Sequence, residues 1–512
     1  MMLKLNQFSR NEDGNISILF VFAVIPLILS VGLGIDYANA NARESQLNGI
    51  ADAAALSALT LPMVTNITPA TVGPQNAQCA SQGNTQIVAM CNRAVNFFNA
   101  QAAALTGIGS VTPTVTVTQN GINYVASVAY TTTSTNAFAS ILSQPTMTIG
   151  GTSQAKASAA PNIDYWMMID TSPSMAIAAT LDDINSLVVN TSAQSGCGFG
   201  CHEYSPGSES PALGNPVLNS THPVTWTHLD GKTVTTLKSC VSGTVVDGKS
   251  VTTLNGAEDN FTLARCLGVT LRIDLVNYAV QDLLGSYAPA AATTNHATYQ
   301  AALYTFDYTY HELVGPHTPG LVGPTSNLSA LLQVAGNLNQ LEIDHNGCLN
   351  SGCSAPIGNG DQDTYFDQAL SQLNTDMPNP GNGSPTGKPK EVLFIVSDAV
   401  PDTAYSRSNA FYVVGTNTGH DGANDWCTKI KQRNILIAFL YLVYNPLPTN
   451  DFYKNHVKAI AEPAYPAISP VYQAASDCAT TGLFTAVNTG GDVDGAMKAL
   501  FDKAATTAFL SQ

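Results

Sequence analysis

The sequence predicts an α/β fold: a doubly wound, mainly parallel sheet with large loop insertions, preceded by a transmembrane helix and a small α+β module. Three observations carry that reading. Residues 165–169 and 392–396 are short apolar runs, the pattern of strands buried on both faces of a parallel sheet. Helical and strand-like patterns alternate from residue 271 onward, as a sheet wound through crossover helices requires. Residues 16–35 carry no charge, and twenty such residues in a helix match the core of a bilayer. The expected organisation is an N-terminal segment (1–15), a membrane span (16–35), a small module (36–160) and the sheet domain (161–512), with an insertion at about 176–265.

At 512 residues the chain can bury more than one sizeable core. Lys and Arg number 20 against 36 Asp and Glu, a formal net charge of −16. No Lys/Arg run exists to neutralise phosphates, which argues against nucleic acid as a partner. Only 11% of the residues are charged, so Ser, Thr, Asn and Gly carry the surface. The ten cysteines are even in number and several lie close together, which favours disulfides and an oxidising compartment. Local pairs are Cys348 with Cys353, Cys197 with Cys201, and Cys79 with Cys91. Cys197, Cys201 and His202 also offer zinc three ligands, so that stretch keeps a metal-binding alternative.

Lys4 and Arg10 precede the apolar run and place residues 1–15 in the cytoplasm. The helical pattern continues past the membrane through 36–59, and residues 90–105 read as a second helix. The period then changes to two. Residues 111–118 and 122–132 flank Asn120-Gly121, a hairpin signal, and 146–149 add a strand. Residues 176–265, rich in Gly, Ser, Thr and Pro, read as an irregular elaboration with a hairpin signal at Asp247-Gly248. Beyond it, Ile273, Val276, Val280 and Leu284 share one helical face, with Arg272 elsewhere. Strands are expected at 301–306, 392–396, 435–443 and 483–487, and helices at 328–341, after Thr364, and at 492–505.

The stretch around which the chain is organised lies at the end of the first buried strand: Asp170, Ser172 and Ser174, alternate residues with one carboxylate and two hydroxyls. Such groups can converge on a hard cation, and open α/β sheets bind ligands at the carboxyl ends of their strands. The second buried strand ends in Ser397-Asp398-Ala399, with Asp402 as a rival carboxylate. Thr364 stands where a loop meets the start of a helix, a place where Thr also serves as a plain cap.

These three segments resemble the metal-ion-dependent adhesion site (MIDAS) of von Willebrand factor A domains, whose fold is Rossmann-like. The resemblance implies a Mg2+ site (or Mn2+ or Ca2+) held by Asp170, Ser172, Ser174, Thr364 and Asp398, with Ala399 where those domains usually have Gly. The N-terminus is recognisable too. Asp13-Gly14-Asn15-Ile16-Ser17-Ile18, then Gly34-Ile35-Asp36-Tyr37, then Gln46 and Ala51-Asp52-Ala53-Ala54-Ala55-Leu56 resemble the TadE/TadG-like N-terminal region of Flp (tight adherence) pilus assembly proteins. With the A-type pattern behind it, the chain is similar to TadG-like proteins. That resemblance suggests a bond between Cys427 and Cys478, which leaves Cys240 and Cys266 to pair by elimination. Prepilin-type processing favours Glu five residues after the cleaved Gly. After Gly14 that position holds Leu19, so an uncleaved anchor is expected.

These features imply a membrane-anchored, metal-dependent protein-binding scaffold in Flp pilus assembly, and not an enzyme. The expected place is a bacterial inner membrane, single-pass, with the bulk of the chain periplasmic. Its partners would be other pilus-assembly proteins, through an acidic side chain at the metal, and the membrane, through one N-terminal helix. Asp170 and Asp398 only balance the charge of Mg2+, and no basic residue is in view to offset them. One alternative is a minor pilin-like subunit processed into the fibre, against which Leu19 speaks. Another is metal-assisted hydrolysis through Asp170, although no phosphate-binding Lys, Arg or Gly-rich cradle stands beside it.

Overall fold

A computed structural model describes residues 13–60, 73–191, 196–198, 263–264, 267–307, 309–335, 364–385, 387–402, 425–450, 453–488 and 490–510, together with Val64 and short strand pieces within 202–251 and at 342–343. The chain divides into two compact units, 1–159 and 160–512.

The first unit begins with α1 (Asp13–Ala58), a helix of 46 residues. At a rise of about 1.5 Å per residue it is roughly twice as long as a bilayer core is thick, so a membrane holds only part of it. Exposure indicates which part. Phe20, Phe22, Leu27 and Val31 are apolar yet exposed, whereas Ala40, Leu47, Ala51 and Ala54 are buried within the unit. Among the described residues α1 is the one helix long and apolar enough to cross a membrane.

α2 (Thr85–Ala102) packs against α1 and the sheet. It starts five residues before the sequence expectation because Asn84 caps it, accepting from the Ile87 N–H at 3.0 Å. The hairpin forms where Asn120-Gly121 signals it. β1 (Thr114–Asn120) and β2 (Asn123–Thr135) pair antiparallel, and Gly121 takes a φ of 61° that the tight turn demands. β3 (Thr146–Ser158) pairs along the whole of β2, well beyond the expected 146–149. Burial alternates along β1 and β2, with Val115, Val117, Tyr124, Ala126 and Val128 inward. Cys79 and Cys91 are bonded, tying α2 to the segment before it. Asp36 is buried, and its carboxylate accepts from the N–H groups of Ala137, Phe138 and Ala139 at 2.8, 2.9 and 2.7 Å.

The second unit is built on a six-stranded sheet: β4 (Ile163–Asp170), β5 (Tyr299–Phe306), β6 (Tyr310–Val314), β7 (Lys390–Ser397), β8 (Leu436–Leu442) and β9 (Phe484–Val487). The spatial order is β6-β5-β4-β7-β8-β9. All neighbours run parallel except β6, an antiparallel edge strand that the sequence reading did not foresee. It follows β5 through a tight turn in which Asp307 Oδ1 accepts from the Thr309 N–H at 3.0 Å. Every residue of β4 is buried, the apolar run 165–169 as its composition requires and with it Asp164 and Asp170 on either side.

Helices cover both faces of this sheet. α10 (Val493–Leu510) sets Phe501 against Tyr165 at 4.4 Å and Tyr299 at 5.6 Å between ring centroids. α7 (Phe366–Asp376) sets Phe366 against Phe306 at 4.7 Å. Tyr299 and Phe306 are seven residues apart on one strand and point to opposite faces. Around them lie α4 (Arg272–Asp282), α5 (Ala288–Asn295), α6 (Leu328–Ala335), α8 (Trp426–Gln432) and α9 (Pro470–Cys478). Cys427 on α8 and Cys478 at the end of α9 are bonded.

One helix corrects the sequence reading. α3 (Leu181–Asn190) lies inside the stretch read as irregular. Thr180 caps it, its hydroxyl accepting from the Asp183 N–H at 3.1 Å and donating to the Asp183 carboxylate at 2.8 Å. Further on, Thr244–Val246 and Lys249–Val251 pair antiparallel, flanking the expected turn at 247–248. Cys201, Cys240, Cys266, Cys348 and Cys353 lie outside the described residues, and with them the pairings 197–201, 240–266 and 348–353.

Candidate metal centre

The strand order runs outward from β4 to β5 and β6 on one side and from β7 to β9 on the other. Chain crossovers therefore diverge between β4 and β7, leaving a crevice at their carboxyl ends, where open α/β sheets receive ligands. Asp170 ends β4, Ser397 ends β7, and Asp398 follows directly.

The predicted residues from these two strands are joined there. Asp170 Oδ2 accepts from Ser397 Oγ at 2.6 Å, and Oδ1 accepts from the Ser172 N–H at 2.9 Å. That second bond curls the chain back, and the hydroxyls of Ser172 and Ser174 come to 3.0 Å of each other. A short 3-10 turn, Pro173–Ala176, holds the arrangement, with the Met175 N–H donating to Ser172 O at 2.9 Å. Asp170, Ser172 and Asp398 are all fully buried. Burial, and after it the neighbouring Asp398 carboxylate, push Asp170 up to about 7 against the hydrogen bonds from Ser172 and Ser397. Asp398 is also raised, by burial, with Arg272 and Ser174 pulling the other way.

Thr364 is buried but does not cap its helix. Tyr365 occupies the N-cap position of α7, and Thr364 exchanges backbone hydrogen bonds with Asp402, each at 3.0 Å. The Tyr365 N–H donates to Asp307 O at 2.8 Å. Thr364 is thus pinned to the segment that follows Asp398, and Asp402 serves in that pairing through its backbone.

Arg272 overturns one expectation. The helical periodicity sets it off the buried face, and the sequence shows no basic residue to offset the carboxylates. It is fully buried, and its Nη1 donates to Asp398 Oδ2 at 3.0 Å. Nη2 donates to Val443 O at 2.7 Å, and the guanidinium lies 4.9 Å from the centre of the Tyr444 ring. The reason is position: Arg272 is the first residue of α4, and its backbone N–H is held by Ile177 O at 3.0 Å, beside the Ser172–Ser174 turn. At that point the helix end faces the crevice, and the periodicity of later turns does not govern its side chain.

The donor set fits a hard cation in chemistry: one carboxylate and two hydroxyls in a buried cluster, all oxygen. The fit differs from the expected five ligands in two respects. Thr364 is held to Asp402 through backbone bonds, and Asp398 is engaged by Arg272 and the Val400 N–H, so Asp170 is the carboxylate of the cluster without a cationic partner.

Comparison with curated proteins finds no match. Among solved structures, the chain is similar to the pilus adhesin SpaC from Lactobacillus rhamnosus GG, with 11% identity and a TM-score of 0.30. The alignment covers 78% of this chain and 34% of that one, so this chain spans about a third of the adhesin's length. It is also similar to the vWF domain of the type V pili tip protein Mfa5 from Porphyromonas gingivalis, with 10% identity, a TM-score of 0.30, and coverage of 69% and 97%. A variant of the PilB minor pilin from Streptococcus sanguinis aligns with 10% identity, a TM-score of 0.29, and 80% coverage of each chain. Residues 14–66 match the family model described as "Putative Flp pilus-assembly TadE/G-like", and the N-terminal stretch of the chain is therefore a TadE/G-like Flp pilus-assembly domain.

Proposed function

We propose that this chain is a membrane-anchored, metal-dependent binding scaffold of the Flp pilus-assembly machinery, and not an enzyme. In this reading the second unit is a doubly wound von Willebrand factor A-type domain. α1 anchors the chain once in a bacterial inner membrane, with the chain beyond about residue 36 in the periplasm. The observation that carries the binding role is the convergence of Asp170, Ser172, Ser174 and Asp398 at the divergence of β4 and β7. The pilus role rests on the match over residues 14–66.

Each residue has a task in this proposal. Asp170, Ser172 and Ser174 would hold Mg2+ or Mn2+, while Thr364 and Asp398 support the loops around it. Ser397 orients the Asp170 carboxylate, and Arg272 neutralises Asp398. With that neutralisation the cluster has one net negative charge, so a divalent ion there keeps net positive character. When bound, the ion supplies an electrophilic position for an Asp or Glu carboxylate of a partner pilus protein.

Crosslinking in membranes of the source organism tests the reading. Wild-type protein should capture a pilus-assembly partner in Mg2+, and lose it in EDTA or with Asp170→Ala. Capture that is equal in all three conditions contradicts metal-dependent binding. Protease added to spheroplasts should remove the second unit, and its protection contradicts the periplasmic orientation.

A further inference from the structure

A second group of ligands stands on other elements of the sheet unit. Glu312 lies on β6, His317 in the turn beyond it, and Asp376 at the end of α7. A carboxylate oxygen of each acid and a ring nitrogen of His317 all lie within 4.8 Å of one another.

The group is built rather than accidental. Glu312 Oε1 accepts from the His317 N–H at 2.7 Å and from Thr318 Oγ1 at 2.8 Å. Glu312 Oε2 faces His317 Nδ1 at 2.9 Å. Tyr310 Oη donates to Asp376 Oδ2 at 2.6 Å and comes within 3.4 Å of Glu312 Oε2, and Gln372 Nε2 donates to Asp376 Oδ1 at 3.0 Å. Each carboxylate is therefore oriented by protein donors, as outer-shell partners orient metal ligands, and Asp376 keeps a lone pair free on each oxygen.

An independent observation points to a missing ligand. Tyr304 is fully buried, with its ring between Trp166 at 5.9 Å and Tyr310 at 5.4 Å. Among the described residues its hydroxyl makes no hydrogen bond of normal length, its polar neighbour being the Tyr310 hydroxyl. It reaches the space beside Glu312: a Cβ added to Gly315 would strike both Tyr304 Oη and Glu312 Cδ. A buried hydroxyl without a partner is costly. A water on a cation held by Glu312 would supply that partner.

We propose that Glu312, His317 and Asp376 form a second divalent-cation site, for a first-row ion of the Zn2+ type, that fastens the edge strand β6 and its turn to the end of α7. Two carboxylates balance the charge of the ion, and a neutral imidazole favours Zn2+ over Mg2+ or Ca2+. Three protein ligands leave an open position for the water beside Tyr304.

The test is Zn2+ titration of the full chain in detergent by calorimetry, with the wild type compared against His317→Ala, Tyr310→Phe and Asp182→Ala, a control whose carboxylate is exposed on α3. The wild type should bind one Zn2+ more than His317→Ala. Tyr310→Phe should keep that stoichiometry and weaken the site about tenfold or more. Asp182→Ala should leave it unchanged. Other zinc-binding residues contribute equally to wild type and His317→Ala, so the difference isolates this site. Equal binding by those two proteins overturns the proposal. So does loss of the site in Asp182→Ala. An undiminished affinity in Tyr310→Phe would mark His317 as an adventitious surface ligand and also overturn it.

Discussion

Arg272 Nη1 lies 3.0 Å from Asp398 Oδ2, and both side chains are wholly buried. Burying two charges is tolerated only when the remaining donors and acceptors are met, and here Val443 O and the Val400 N–H meet two of them. Arg272→Leu leaves Asp398 buried without a partner and should cost about 3–5 kcal/mol in denaturant unfolding. Arg272→Leu combined with Asp398→Leu should recover much of that. A single substitution costing under about 1 kcal/mol would contradict the pairing.

Asp36 gives the first unit a comparable tie. Its carboxylate is the acceptor for three successive backbone N–H groups, at Ala137, Phe138 and Ala139. Asp36→Ala should leave those donors unmet, at about 1–3 kcal/mol for each one that water cannot reach. Hydrogen exchange at residues 137–139 should accelerate in that variant and less so in Asp36→Asn, which keeps one acceptor oxygen. Unchanged exchange in Asp36→Ala would show that the carboxylate does not hold the turn.

The two disulfides among the described residues close loops of different size. Cys427–Cys478 spans 51 residues and Cys79–Cys91 spans 12. Loop-closure entropy predicts losses of about 4 and about 3 kcal/mol when each is replaced by a pair of Ala. Thermal unfolding of the two double variants checks the order, and peptide mapping without reductant checks the pairings. Recovery of Cys427 or Cys79 as a free thiol from protein purified without reductant would contradict them.

A second acidic pair sits in the core at the other end of the strands. Trp166 Nε1 donates to Glu391 Oε2 at 2.6 Å. Burial, with the Asp164 carboxylate adding to it, pushes Glu391 up to about 8, and burial pushes Asp164 up to about 6. An acid raised in the fold binds its proton more tightly there than in the unfolded chain. Its stabilising contribution is thus complete below the usual carboxylate range and is lost as pH rises through about 8. The melting temperature of the second unit should fall between about pH 5 and about pH 9, and Glu391→Gln should flatten that fall. An equally steep profile in Glu391→Gln would assign the dependence to other groups.

How much of this was legible in the sequence depends on range. The buried strands at 165–169 and 392–396, the Asn120-Gly121 hairpin and the α1 run announce themselves because their signals are local. Asp170, Ser172 and Ser174 were legible for the same reason, since two-residue spacing after a strand keeps them together. Arg272 was not, because its partner lies 126 residues away and the helical wheel says nothing about which group a first-turn side chain meets. β6 was missed because it is short and half-exposed, without the apolar run of its neighbours. α3 was missed inside a polar stretch, although Thr180 and Asp183 form a legible cap signal. The Glu312, His317 and Asp376 group depends on that edge strand and could not be assembled without it.

The central claim, a divalent-cation site at Asp170, Ser172 and Ser174, is tested most directly by the thermal shift of the purified chain with Mg2+ or Mn2+. At a hundredfold excess over the dissociation constant, binding adds about 2.7 kcal/mol, roughly 3–4 °C for a unit of this size. The account predicts that shift in the wild type and in Asp182→Ala, whose carboxylate is exposed on α3, and its loss in Asp170→Ala with the fold retained. A wild-type protein whose melting temperature is unmoved by either ion, or an Asp170→Ala protein that keeps the full shift, would contradict it.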